Sequence, residues 1–584
     1  MPVEPTADTA PPPPKKPDAK AQPEGNVKDT IESILVAFIL AFVFRAFVVE
    51  AFVIPTGSMA PTLLGAHMQY HCADCGYDFT VNFSSGGRGG DMVIPARAQG
   101  TINQPIHCPN CGFAVRETAG PGEDSLTRPP VHYGDRILVL KYRYLLSGPQ
   151  RWDVIVFKSP DKPPEGVQDY YVTNYIKRLI GKPGESIMIL DGDIYVSTAA
   201  PPADVASAVV NNPPAFETFL KTFKIQHKPP HAQNALWRIV YDNDYLPHLP
   251  DAERSGKPWH QPWVASGGGW DIGQSLPATA QGRTRVFHFD NAAGGSTLSF
   301  DPDANPDTHA LTDFLAYDQF SYGQSENSPG RRRNTVSDLK LSCFYKRESG
   351  DGPFRMSLTK RDQKFVVELT PGQATLSRVD LNTGKVLKQY GQVPLPSTNN
   401  SLRLDLANVD YRVTLRINDE EKLSSGDDYD PTPDEIVRME EEERNWVKTR
   451  QPEVKIEAAQ QKATLEHISL SRDIFYINDY DNVRGGVSDK TADHSFLGSP
   501  DNIVTLKADE YFAMGDNSLI SGDGRMWKNN VALPGEDLPF VEHGRVPARF
   551  LLGKAFFVYW PAGHRPFGWD LGIIPNFGEM RFIR

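Results

Sequence analysis

A chain of 584 residues is too long for one hydrophobic core and predicts about four domains. With 39% hydrophobic, 10% aromatic and 23% charged residues, it excludes collagen-like, wholly disordered and multi-span membrane architectures. A formal net charge of −12 argues against nucleic acid as a partner, because phosphate binding needs clustered Lys and Arg, and five cysteines are too few for a disulfide-built scaffold.

Residues 1–29 hold eight prolines and almost no large apolar side chain, so they predict a disordered cytoplasmic tail. From Ile31 to Ile54 nearly every residue is apolar, interrupted by Glu32, Arg45 and Glu50. The unbroken part, 33–44, is shorter than the roughly 20 residues that span a bilayer. A helix continued to Ile54 is long enough, so 30–54 is expected to be an uncleaved transmembrane anchor. A signal peptide or a buried helix is the rival, but no convincing small-residue cleavage site follows the apolar run. Lys15, Lys16, Lys20 and Lys28 precede the segment, and neither Lys nor Arg occurs from Pro55 to Cys75. That asymmetry puts the N-terminus in the cytoplasm and everything after Ile54 outside the bacterial cytoplasmic membrane.

Beyond the anchor, short alternating runs at 136–142, 153–158, 170–180 and 186–196 predict β-strands, and similar runs return at 503–514 and 551–560. Between these blocks, a proline-rich boundary at 199–214 opens a stretch of about 300 residues. Its short strands at 284–289, 339–346, 354–359, 365–369 and 411–417 suggest a β-sandwich. One exception in composition is 433–449, where Glu440–Glu443 read as the solvated face of a helix. The fold class is therefore mainly β.

Four segments carry the chemistry. They are Ile54-Pro55-Thr56-Gly57-Ser58-Met59-Ala60-Pro61-Thr62-Leu63, Gly134-Asp135-Arg136-Ile137-Leu138-Val139, Tyr175-Ile176-Lys177-Arg178-Leu179-Ile180-Gly181-Lys182-Pro183-Gly184-Glu185, and Met514-Gly515-Asp516-Asn517-Ser518 running on to Ser521-Gly522-Asp523-Gly524-Arg525-Met526-Trp527. Each is weak alone. In this order, behind an apolar N-terminal segment, they resemble the signature boxes of the bacterial type I signal peptidases. The resemblance covers the anchor, 55–65, 134–197 and 503–561, and leaves out the cysteine segment and the long insertion.

The resemblance implies a membrane-bound serine endopeptidase that removes signal peptides from preproteins by a Ser-Lys dyad without a cofactor. By its motifs, Ser58 is the nucleophile and Lys177 the general base. A lysine can act so only where desolvation lowers its pKa. Tyr175, Ile176, Leu179 and Ile180 supply apolar surroundings on a strand, and Arg178 alternates to the other face. Thr56, with the Ser58 N–H, matches an oxyanion hole, and Ser521 the serine that orients the lysine. Asp523 and Arg525 match a supporting ion pair, and Ile54, Leu63, Tyr175 and Ile176 the lining of pockets for small side chains. Ser518 and Gly524 depart from the family, which often has arginine and serine there. Other nucleophile readings are weaker. Ser337-Asp338-Leu339-Lys340 has S-x-x-K spacing without a K-T-G, and His132, His543 and His564 lack a G-x-S-x-G elbow.

Cys72-Ala73-Asp74-Cys75-Gly76 and Cys108-Pro109-Asn110-Cys111-Gly112 are paired C-x-x-C-G knuckles, 32 residues apart. Cys72, Cys75, Cys108 and Cys111 offer the four thiolates that structural zinc prefers, and the segment resembles a zinc ribbon. Outside the cytoplasm, two disulfides are the alternative. Cys343 reads as a core thiol. Residues 284–471 resemble a concanavalin- or laminin-G-like jelly roll, so a carbohydrate or envelope ligand is the expected partner of the insertion. Asp301–Asp307 lacks the glycine and glutamate of a calcium loop, and Trp259, Trp263 and Trp270 are better read as core than as sugar platforms. The expected organisation is thus tail 1–29, anchor 30–54, catalytic domain 55–66 with 130–198 and 503–584, zinc-ribbon-like insertion 67–115 and inserted domain 199–502. Gly485-Gly486 marks a hinge, and the inserted domain is expected to be autonomous. Signal peptides and the lipid bilayer are the expected partners. An envelope binding protein, a lectin-like domain on a degenerate peptidase frame, is the alternative function.

Overall fold

The computed structural model describes residues 27–83, 106–115, 130–160, 173–202, 213–254, 258–274, 283–319, 334–395, 400–437, 451–478, 496–500, 502–527, 542–562 and 575–584. The expectations for the tail before residue 27, for Glu440–Glu443, for Gly485-Gly486 and for His564 lie outside these residues.

The apolar N-terminal run does not stay helical to Ile54. The helix is Val27–Phe47, 21 residues long. The chain then extends as the strand Val49–Val53, where β-branched and aromatic side chains favour extended backbone. Among the described residues, no helix is long and apolar enough to cross a membrane. Residues 1–50 form one unit and 51–584 a second.

The second unit is built from antiparallel sheets. The sheet that holds the expected site runs, in spatial order, Arg136–Leu140, Leu551–Trp560, Val154–Lys158, Asn174–Gly181, Glu510–Met514 and Val546–Pro547. Chain segments separated by more than 300 positions are thus adjacent, with Leu179 opposite Ala513 and Arg178 opposite Met514.

The run expected as one strand at 186–196 is a hairpin. Ser186–Leu190 pairs with Asp193–Ser197 across Asp191-Gly192, both at positive φ (54° and 82°), as a two-residue turn that follows strand twist requires. This hairpin is buried on both faces. Ile187, Ile189, Ile194 and Val196 pack with Phe512 and Met514 of the catalytic frame. Met188, Leu190 and Tyr195 instead join the core of the insertion.

The insertion is a sandwich formed by one 13-stranded sheet. Its 19-residue strand, Val454–Arg472, pairs first with Phe354–Lys360 and then with Leu339–Ser349. The change of partner falls where Gln460 takes a left-handed φ of 49°. The strand thereby serves both leaves, whose side chains meet in one core containing Leu341, Met356, Phe365, Leu404 and Leu415. Cys343 lies in that core, 3.9 Å from Met356 Sδ. Trp259, Trp263 and Trp270 are also buried. The expectation of an autonomous insertion does not fit this packing. The same core takes in the cysteine knuckles and one face of the 186–197 hairpin. Ion pairs cross the junction as well, a buried one from Lys360 to Asp193 at 3.4 Å and a half-buried one from Arg361 to Asp191 at 3.2 Å.

Candidate active site

The turn that carries Ser58 is a single 3-10 turn, Gly57–Met59, entered from Thr56 in extended conformation. Ser58 is 9% exposed. Lys177 arrives from the strand Asn174–Gly181, where it stands opposite Ile155. Its Nζ lies 2.7 Å from Ser58 Oγ. Sequence positions 119 apart therefore meet at hydrogen-bond distance, as a nucleophile and its base must.

Burial supplies what the lysine needs. Lys177 is 4% exposed, and desolvation lowers its pKa from 10.5 to about 8, with Asp523 and Arg525 acting in opposite directions on it. Tyr175, on the same face of the strand, puts its ring centroid 5.4 Å from Nζ. That ring is braced in turn by Phe157 and Trp527 at 6.3 and 6.0 Å.

Asp523 and Arg525 form the expected ion pair, with Nη2 to Oδ2 at 2.7 Å and Nε to Oδ1 at 2.9 Å. Both are fully buried. Burial raises the Asp523 pKa, but the guanidinium outweighs it and holds the carboxyl below its ordinary range. Asp523 Oδ2 also accepts from Gly515 N at 2.9 Å, so the pair fixes the Gly515-Asp516-Asn517 turn.

The two departures from the family have local reasons. Ser518 Oγ accepts from Arg525 Nη1 at 2.7 Å and from Ile477 N at 2.8 Å. A side chain on Gly524 would place Cβ 2.8 Å from both Gly544 O and Phe512 Cε2.

Other expected residues are placed differently. Ser521 is wholly buried beside the site, and its Oγ has no hydrogen-bond partner, so the expected bond to Lys177 is not made. Thr56 is exposed and makes no side-chain capping bond. Ile54 and Leu63 are 3% and 0% exposed and belong to the core with Met59 and Ile137, so Leu63 backs the site and does not line it. Tyr175 and Ile176 are half-buried on opposite faces of their strand, packing into different clusters.

Arg178 was expected merely to face away from Lys177. It is fully buried and clamps Asp516 with two 2.7 Å bonds, through Nε and Nη2. Its Nη1 donates to Trp152 O at 2.7 Å. The signal was present as an arginine within an apolar strand, since a buried guanidinium demands a carboxylate. Among the histidines, His132 is buried and stacks on His67 at 5.6 Å.

The four cysteines converge. All are buried and unbonded to one another, and their Sγ atoms lie within 4.8 Å of each other. Cys72 to Cys111 and Cys75 to Cys108 are both 3.6 Å apart. A tetrahedron with zinc–sulfur bonds of about 2.3 Å has edges of about 3.8 Å, so the donors fit zinc. Disulfides are not formed. The two knuckles repeat one geometry, with Gly76 N donating to Cys72 O and Gly112 N to Cys108 O, each at 2.9 Å. Gly76 and Gly112 stand at φ of 78° and 72°, a backbone that favours glycine.

A family described as signal peptidase, peptidase S26 matches residues 123–236 and 439–560. A signal peptidase I from Rickettsia bellii is 26% identical over 166 residues, which cover 28% of this chain and 38% of that protein. One from Pseudomonas aeruginosa is 37% identical over 86 residues, covering 14% and 26%. The chain thus spans less than two fifths of the length of these relatives. Among solved structures, a carbohydrate binding module from Bacillus subtilis matches at 9% identity and a TM-score of 0.21, covering 36% of this chain and 95% of that one, a likeness too low to argue from. The strand that carries Lys177, the Gly515-Asp516-Asn517 turn and the Asp523–Arg525 pair fall within the matched stretches and Ser58 lies before them, and through these stretches the chain is similar to the signal peptidase S26 family.

Proposed function

We propose that the chain is a membrane-bound serine endopeptidase that removes signal peptides from preproteins just outside the bacterial cytoplasmic membrane. The observation that carries this reading is the 2.7 Å approach of a buried, pKa-lowered Lys177 to Ser58 Oγ. Neutral Lys177 takes the hydroxyl proton as Ser58 Oγ attacks the scissile carbonyl. The ammonium then returns the proton to the leaving amine, and water hydrolyses the acyl-enzyme by the same route. The Ser58 N–H and Thr56 hold the developing oxyanion, Thr56 by reorienting when substrate binds. Tyr175, on the same face of the strand as Lys177, offers half-buried surface against which small side chains pack, while Ile176, Ile54 and Leu63 back the site from the other face. Ser521 serves as a partner for the lysine by rotating its hydroxyl.

The helix Val27–Phe47 is the anchor in this reading. Its apolar side chains are open, with Ile31, Leu40 and Phe42 at least 60% exposed. Lysines before it favour a cytoplasmic N-terminus. The Cys72, Cys75, Cys108 and Cys111 set would hold one structural zinc, which supplies no chemistry to the dyad. A groove of about 550 Å³ on the sandwich includes Trp237, Lys340, Arg403 and Arg416 in its lining, a polar and aromatic surface suited to a carbohydrate or envelope ligand. The retained dyad speaks against a binding protein on a degenerate frame.

Cleavage of a preprotein in detergent tests the reading. Wild type should process it, while Ser58→Ala and Lys177→Ala should not, although both remain folded. Normal cleavage by either variant sinks the proposed dyad.

A further inference from the structure

The insertion sends one short segment back to the nucleophile. Residues 313–319 leave the sandwich and place the 3-10 turn Ala316–Asp318 against the catalytic loops. Tyr317 and Asp318 are 3% and 1% exposed. The Tyr317 ring lies on Gly57, where an added Cβ would stand 2.5 Å from Cε1 and 3.0 Å from the hydroxyl oxygen. Any other residue beside Ser58 would therefore displace this ring.

Asp318 reaches the opposite wall. Its Oδ1 accepts from Asn517 Nδ2 at 2.9 Å. The backbone N–H of Asn517 donates to Ser58 O at 3.0 Å, and Asn517 O accepts from Ser521 N at 3.1 Å. A chain of hydrogen bonds thus runs from the insertion through Asn517 to the carbonyl of the nucleophile.

The segment is itself held from both ends. Arg472 Nη2 donates to Phe314 O at 2.6 Å. Gln319 exchanges two bonds with the His107 backbone, at 2.8 and 2.9 Å, which ties it to the second cysteine knuckle. A buried carboxylate bound to an amide, between two such anchors, has little freedom to shift.

We infer that Tyr317 and Asp318, contributed by the insertion, are positioning residues that set the place of Ser58 relative to Lys177. The inference rests on the peptidase reading above. Neither residue contacts the dyad's reacting atoms, and each acts through Gly57 or Asn517. An attacking oxygen displaced by about 1 Å loses roughly a hundredfold in rate, so a modest slackening of this wedge is measurable.

The test uses the full chain in detergent micelles, with kcat, KM and Tm measured on one preprotein. Asp318→Ala should lower kcat at least roughly tenfold, with KM within twofold and Tm close to wild type. Asp318→Asn keeps an oxygen acceptor for Asn517 and should restore most of the kcat. Tyr317→Leu, which keeps an apolar group over Gly57 but not the ring, should also lower kcat. It serves as the second variant should Asp318→Ala fail to fold. Wild-type kcat in a folded Asp318→Ala or in Tyr317→Leu overturns the inference, as does equal loss in Asp318→Ala and Asp318→Asn that only follows Tm. Ser58→Ala, run alongside, separates the two claims: if it is inactive while the insertion variants cleave normally, the peptidase reading stands and the positioning role falls.

Discussion

The strongest quantitative consequence concerns the pH dependence set by Lys177. With its pKa lowered from 10.5 to about 8, about 9% of the lysine is neutral at pH 7 and about 91% at pH 9. At the ordinary value only about 0.03% would be neutral at pH 7, so burial raises the supply of base about 300-fold. Processing of a preprotein should therefore give a kcat/KM that climbs tenfold per pH unit below 7 and reaches half its plateau near pH 8. Lys177→Arg should be inactive throughout, because a guanidinium stays protonated. The same burial has a cost in stability. The folded value lies below the unfolded one, so the lysine destabilises the fold by about 3 kcal/mol below pH 8. That penalty shrinks between pH 8 and 10.5 and is absent above. Lys177→Met should accordingly raise the denaturant midpoint at pH 7 and lose that advantage by pH 10.5. A kcat/KM profile that is flat from pH 6 to 9, or a half-point near 10.5, refutes the argument that desolvation activates this lysine.

Three further expectations follow from the packing. Purified protein should carry about one zinc equivalent, lost in Cys72→Ser with Cys75→Ser, and metal-free protein with two disulfides would contradict the four-thiolate site. Gly524→Ser should destabilise the chain by about 1–3 kcal/mol, since overpacking a close-packed site costs that much; an unchanged unfolding midpoint would mean that the Gly544 carbonyl and Phe512 yield freely. Replacing 200–500 by a short linker should give insoluble or inactive protein, because it uncovers Met188, Leu190 and Tyr195, each contributing about 1.5–3 kcal/mol when buried. A soluble, fully active shortened chain would show that the hairpin does not need its second cover.

The meeting of Ser58 with Lys177 was legible because the two motifs are local in sequence and restrict the residue types. The strands were legible for a similar reason, from alternation within short runs. The helix end was less so. Ile31 to Ile54 is mostly apolar, and hydrophobicity alone does not mark where Phe47 yields to the extended Val49–Val53. Long-range ion pairs were less legible still. Arg178 and Asp516 stand 338 positions apart, and nothing in either neighbourhood specifies the other. The hairpin at 186–197 shows the same limit in another form. A run of apolar residues on both faces states that two covers exist, but not that one belongs to the catalytic frame and the other to the insertion.

This double cover bears on how an insertion of such length can sit within a peptidase frame. A module joined only by two flexible strands would leave Met188, Leu190 and Tyr195 exposed and would require nothing of the active site. Here the insertion buries those side chains, places Lys360 and Arg361 against Asp193 and Asp191, and brings Asp318 to Asn517. Each contact joins it to a strand or turn adjoining one of the catalytic boxes. Removing a single partner from a buried pair leaves an uncompensated charge, which costs about 3–5 kcal/mol. The frame and the insertion are therefore bound to fold as one body. The strand Val454–Arg472 makes a further join, since the chain leads from it through Asp473 to Ile477, whose N–H donates to Ser518 Oγ and whose carbonyl accepts from Arg525.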